Sequence, residues 1–196
     1  VGGRAFVRVL GRGTIAYDDL PQVVARTPMI VNVSTGEAVF GVIGRSARLD
    51  LANRGCGDWT VANVAGAMRI NQSGSGFVRA GAAGSADLSV GGSGRIATRA
   101  IAGGLTAVSS GAGDILAAAV DGPLDVRVAG SGDVRIPAGR ASRMKAAIAG
   151  SGAVRFGGVA RTLDASVAGS GAVVVGHVTG PVTRRVFGSG TIRAGR

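Results

Sequence analysis

The chain has little of what usually specifies chemistry. Its 196 residues include one cysteine, one histidine and a single lysine, Lys145. A lone Cys56 excludes an internal disulfide. His177, with no second histidine and no cysteine cluster, argues against a metal centre of the common nitrogen and sulfur type, and no cofactor is expected. Aromatic residues make up only 4% of the chain, which leaves few rings to stack on bases and makes nucleic acid a poor partner. No run of 18 apolar residues occurs, so no transmembrane helix is expected. No signal peptide is visible, and the chain opens almost directly on an expected strand at 5–10. Helical periodicity is absent throughout.

Glycine is abundant, with 36 residues, and its placement is periodic. The clearest copies of a short motif are Gly130-Ser131-Gly132, Gly150-Ser151-Gly152, Gly169-Ser170-Gly171 and Gly188-Ser189-Gly190. Degenerate copies begin at Gly11, Gly36 and Gly55, and further copies at Gly74, Gly92 and Gly111. The first interval, from Gly11 to Gly36, is the longest, and all later intervals are nearly equal. A fixed period of this size marks a solenoid, whose repeats bury their apolar faces against one another. The chain therefore reads as one domain over 1–196, with degenerate coils in 1–67 and regular ones in 68–196. The long first interval holds Asp18-Asp19-Leu20-Pro21, which reads as a turn or small inserted loop.

The columns fixed by this register alternate. Four residues after each marker stand Ile15, Phe40, Trp59, Val78, Ile96, Ile115, Val134, Val154, Val173 and Ile192, all apolar. Two further on stand Tyr17, Val42, Val61, Ala80, Thr98, Ala117, Ile136, Phe156, Val175 and Ala194, and between the two columns arginine recurs at 79, 135, 155 and 193. In-out-in alternation over so short a run is the pattern of a strand. A second strand precedes each marker, and a short apolar step at Val64, Ile101, Val120, Val159 and Val178 suggests a third. Stacked strands of this kind predict a right-handed parallel β-helix of about ten coils, with about 19 residues per coil and successive coils about 4.8 Å apart. A hexapeptide helix would show an apolar residue every six positions, and a calcium-binding roll would need two glycine-aspartate motifs per coil. Neither pattern is present.

Stacking brings distant residues into register and so nominates sites. Asp114 and Asp133 fall in one column above Arg95. Two carboxylates at that spacing could act as acid and nucleophile or hold a cation, although a surface ion ladder and acceptance of backbone N–H groups beside a turn are the plainer roles. Arg135 and Arg155 stack on the outer face, where adjacent guanidinium groups repel unless an anion lies over them. These four residues are the candidate binding set, and no catalytic or metal-ligating residue is nominated. The net charge of +11 fits an anionic polymer such as an acidic glycan or lipopolysaccharide; arginine-biased decoration of a solvent face is the simpler explanation of the same number. Cys56 occupies the place held by serine in other copies. Ser34, Asn53 and Gln72 fall in an inward column, where a stacked polar ladder would satisfy them. Arg184 also falls inward, which requires a register shift or exposure near the end of the rod. The last strand, at Thr191–Ala194, leaves an edge that would pack on another copy, end to end, or on a protein partner.

The motif V-x-G-S-G-x-[VI]-x-[VIF], seen at 128–136, 148–156 and 167–175, resembles the bacterial auto-transporter adhesin head domains, also called head GIN domains. The likeness is good over 68–196 and weaker over 1–60. The resemblance implies a right-handed parallel β-helix, export, and a periplasmic, outer-membrane-associated or cell-surface location; it carries no catalytic residue. The expectation is a non-enzymatic adhesin-like binding or structural module. The alternative is a lyase or glycosidase acting on polysaccharide, by analogy of fold.

Overall fold

Three stretches of extended chain, separated by glycine-rich corners, make up each coil. The structure is a computed structural model, which describes residues 7–8, 14–15, 22–25, 30–36 and 38–195. Eighteen strands join in one continuous sheet whose members pair in parallel with their equivalents one coil away. Together they form a parallel β-solenoid of about nine turns, at about 19 residues per turn. In each turn a long strand leads into the glycine corner, a second strand follows, and a short third stretch closes the triangle. In one turn these are Met144 onward within Ala138–Gly150, then Ala153–Ala160, with the short stretch at its end.

The register can be followed down one inward column. Thr35 pairs with Asn53, Asn53 with Gln72, Gln72 with Val90 and Val90 with Ser109. The column continues through Val128, Ile148, Val167 and Val186. Each strand buries one residue and exposes the next, because side chains alternate across its plane. The interior is filled by valine, isoleucine, leucine, methionine and alanine, with Trp59 and Phe156 as the largest side chains. Ile115, Val134 and Val154 lie directly one over another and are fully buried.

The glycine corners are packed as tightly as a backbone allows. A Cβ placed on Gly132, Gly152 or Gly171 would lie 2.2, 2.2 or 2.6 Å from the carbonyl oxygen of the matching glycine one coil earlier. Only a residue without a side chain fits such an approach. At the first glycine of the motif the backbone itself is also in the left-handed region, with φ of 139° at Gly130 and 137° at Gly150. From Cys56 onward the residue between the two glycines points to solvent, so Cys56 and the serines form an exposed row along this edge.

Four expectations are corrected. First, the chain does not make ten equivalent coils. Val7–Arg8 pairs antiparallel with Thr14–Ile15 in a separate two-stranded sheet, and antiparallel pairing is incompatible with a solenoid rung. Gly11, Tyr17 and the loop at 18–21 lie outside the described residues. Second, the coil before Asn53 is one position shorter than the coil after it, since Thr35 pairs with Asn53 and Gly41 with Trp59, whereas Asn53 pairs with Gln72 and Trp59 with Val78. A slip by one position turns every side chain over, so Phe40 and Val42 are exposed and Gly41 and Ile43 face inward. The cause is the Trp59 indole. It lies so close over Gly41 that a Cβ there would be 2.1 Å from the ring. Third, the same slip exposes Ser34 and puts Thr35 in its place. Fourth, Val159 is exposed and Ala160 is buried instead. The strand bulges between Phe156 and Val159, where the Phe156 ring fills the interior 2.7 Å from where a Cβ on Gly158 would sit, and Ala160 stacks on the buried Ala141 of the coil before. Arg184 keeps its register opposite Ala165 and is exposed in the last coil, together with Val186 and Phe187.

Candidate functional site

The first polar feature is buried. Asn53 and Gln72 are fully inside, and the Asn53 amide donates to Gln72 Oε1 and to the Gly57 carbonyl, both at 2.8 Å. Thr35 Oγ1 donates to Asn53 Oδ1 at 3.3 Å, and Gln72 donates to the Gly55 carbonyl at 3.4 Å. Four coils beyond Thr35, Ser109 donates to the Gly113 carbonyl at 2.8 Å. The polar ladder is thus satisfied within the chain, with Thr35 rather than Ser34 at its head. Burial of these groups without partners would be costly.

The outer carboxylates belong to the same arrangement. Asp58 Oδ1 accepts the Phe77 N–H at 2.8 Å, Asp114 Oδ1 accepts the Asp133 N–H at 3.2 Å, and Asp133 Oδ1 accepts the Ala153 N–H at 2.9 Å. In coils without this aspartate, the corner glycine carbonyl takes the bond, as Gly94 does from Asp114 and Gly152 from Ala172. At Gly57 and Gly113 the carbonyl is already engaged by Asn53 or Ser109, and the aspartate that follows takes the displaced N–H. At Asp58 and Asp114 an inner polar residue and an outer carboxylate are therefore coupled through one carbonyl, whereas Asp133 takes the Ala153 N–H although the inner residue of its coil is Val128.

The structure brings all four sequence candidates together. Asp114 Oδ2 accepts from Arg95 at 2.7 Å; Asp133 Oδ2 accepts from Arg135 at 2.7 Å and from Arg155 at 3.2 Å. Arg135 and Arg155 pair directly across the coils. The anion their stacking calls for is supplied by Asp133. Every carboxylate oxygen of Asp114 and Asp133 has a partner in the chain, so this cluster is a closed ion network, and exposed pairs of this kind contribute about 0–1 kcal/mol each. His177 is exposed beside Val159. Among the described residues no three histidine, cysteine, aspartate or glutamate side chains come together to hold a metal.

Among the described residues, two concavities stand out on the surface. A groove of about 580 Å³ runs along the rod beside the long strands, from Ile30 past Arg48, Ser85 and Pro123 to Arg143. One outward column forms its wall: Asn32, Asp50, Arg69, Asp87, Thr106, Asp125 and Lys145. Aspartate recurs there at every second coil, which keeps like charges from facing each other directly. Arg69 reaches Asp87 at 3.4 Å. The other concavity, of about 510 Å³, lies at the corner after the second strand, between Arg45 and Arg99. Sequence reading missed it, because its arginines stand in three different columns.

Taken together, these features define a parallel β-solenoid with polar tracks along its outer faces. The chain belongs to the family described as "putative auto-transporter adhesin, head GIN domain", whose pattern matches residues 8–137 and, in a second overlapping copy, 87–195. The match extends through the degenerate coils, further than the glycine motif alone suggests. No curated protein and no solved structure matches the chain significantly.

Proposed function

We propose that this chain is a non-enzymatic binding module of the bacterial exterior, exported to the periplasm or cell surface, which holds an extended acidic glycan along its rod. The observation that carries the reading is geometric. Outward columns run unbroken from coil to coil, so a contact made at one coil can recur about every 4.8 Å along a polymer. The net charge of +11 favours an anionic partner. Affinity would come from several weak contacts acting at once. The near-constant spacing of paired positions leaves short corners in the described part of the solenoid, whereas a polysaccharide-cleaving site needs long loops around its substrate. The family description supports the adhesin-like role and the exterior location.

A glycan array displaying acidic and neutral polysaccharides tests this directly. Retention on acidic glycans, weakened by added salt, is the expected result. Equal retention on neutral glycans, no retention at all, or release of reducing ends from an acidic polysaccharide would each overturn it.

A further inference from the structure

We propose that the corner cleft between Arg45 and Arg99 is the subsite that takes the acidic groups of such a glycan; this rests on the reading above and assigns it a place. Three arginines line the cleft, Arg45, Arg79 and Arg99, and no aspartate or glutamate does. Arg69, Arg95, Arg127, Arg135, Arg155 and Arg185 each have a carboxylate within 3.4 Å. Arg45, Arg79 and Arg99 have none among the described residues. Other arginines are also without an ion pair among the described residues, Arg48, Arg143 and Arg193 among them, but the cleft gathers three with no carboxylate in its lining, whereas six arginines of the faces are paired. Arg79 and Arg99 stand on adjacent coils, where their like charges repel and a bound anion relieves that repulsion.

The shape of the cleft follows from the register. Ile43, Val61, Ala80 and Thr98 are stacked equivalents. The residues that follow them are Gly44, Ala62, Gly81 and Arg99, and after those come Arg45, Asn63, Ala82 and Ala100. Small residues thus separate the two arginines, which stand at opposite ends of a notch three coils long, about 14 Å. Gly81 forms its floor, where a Cβ would lie 2.3 Å from Asn63 Oδ1. A single small ion cannot touch both ends. A chain carrying several acidic groups can.

The remaining lining groups are suited to the same ligand. Asn63 Oδ1 is occupied by the Ala82 N–H at 3.0 Å, so its amide N–H groups remain as donors. Thr60, exposed at the cleft, adds a hydroxyl that can meet a sugar hydroxyl, whereas Thr98 is buried and donates to the Leu116 carbonyl. The Arg79 guanidinium rests 4.7 Å above the Phe77 ring centre. Phe77 is thereby covered on that face, which disfavours stacking of a base.

The test uses the full chain and three probes: polygalacturonate, dextran sulfate and unmodified dextran. A triple variant, Arg45→Ala with Arg79→Ala and Arg99→Ala, is compared with Arg135→Ala, Arg155→Ala and Arg193→Ala, which loses the same charge from the second-strand face. Binding of polygalacturonate or dextran sulfate should fall at least about tenfold in the cleft variant and less than about threefold in the control, with dextran bound by neither. The preferred probe separates carboxylate from sulfate as the acidic group. Equal loss in both triples would reduce the cleft to one part of a diffuse basic surface and overturn the assignment, as would binding left intact in the cleft variant; in either case the acidic-glycan reading stands. A duplex DNA fragment that binds as tightly and loses as much in the cleft variant overturns the assignment to glycan. Circular dichroism of both triples confirms that the solenoid is kept.

Discussion

At the scale of single residues, the polar interior is held by mutual satisfaction rather than by burial of apolar area. Asn53 takes a bond from Thr35 and gives two, to Gln72 and to the Gly57 carbonyl. Asn53→Leu removes all of these and leaves Gln72 Oε1 buried without a donor. The expected loss is about 1–3 kcal/mol, read from the urea unfolding midpoint. Adding Gln72→Leu should recover part of it, because the same column is already apolar at Val128, Ile148 and Val167. A double variant less stable than the single one would show that the ladder contributes more than the removal of an orphaned group. The closed network around Asp133 belongs at this scale too. It explains why two stacked arginines that look available in sequence are engaged with a carboxylate of their own chain.

At the scale of the element, the glycine corner sets how closely coils can stack. Gly152→Ala would put its new methyl 2.2 Å from the Gly132 carbonyl oxygen. Since the obstacle is backbone, the coils must part locally, at a cost of about 1–3 kcal/mol. Gly91→Ala meets nothing nearer than 3.7 Å and should stay within about 0.5 kcal/mol of the parent. Thermal unfolding of the two variants checks the contrast. The strands themselves were readable from alternation, and columns such as Ile115, Val134 and Val154 stack as expected. Register was less readable where one bulky interior side chain overrode the spacing. Trp59 demands a glycine below it, which moved Phe40 and Val42 to the surface, and a bulge between Phe156 and Val159 turned Val159 outward. Spacing counts residues, and it carries no information on the volume each one needs inside a narrow core. Spacing put Asp114 with Asp133 in one column and Arg135 with Arg155 in another, and the ion pairs from Asp133 to both arginines were not read from it. The corner cleft was not visible because its cations come from separate columns and meet only across small residues.

At the scale of the whole molecule, each coil touches chiefly its two neighbours, so stability is close to a sum of coils and of the contacts between them. A further consequence follows from the pairing of Gly150 with Gly169. Equivalent points of two adjacent turns coincide in everything but height, which makes the turn a removable link. Excising residues 151–169 joins Gly150 to Ser170 at the position Gly169 held. Ala172 then lies over Asp133, and Val175 over Ile136, with the ladders of the long and second strands continuous and the bulge after the second strand absorbing the remaining offset. The shortened chain should fold with an unchanged far-ultraviolet spectrum and a scattering profile shorter by one rung, about 4.8 Å. Excising half a turn instead would put opposite walls of the tube into one column and should abolish folding. Length in this architecture is therefore a quantity that can be edited in whole units, independently of what each rung displays.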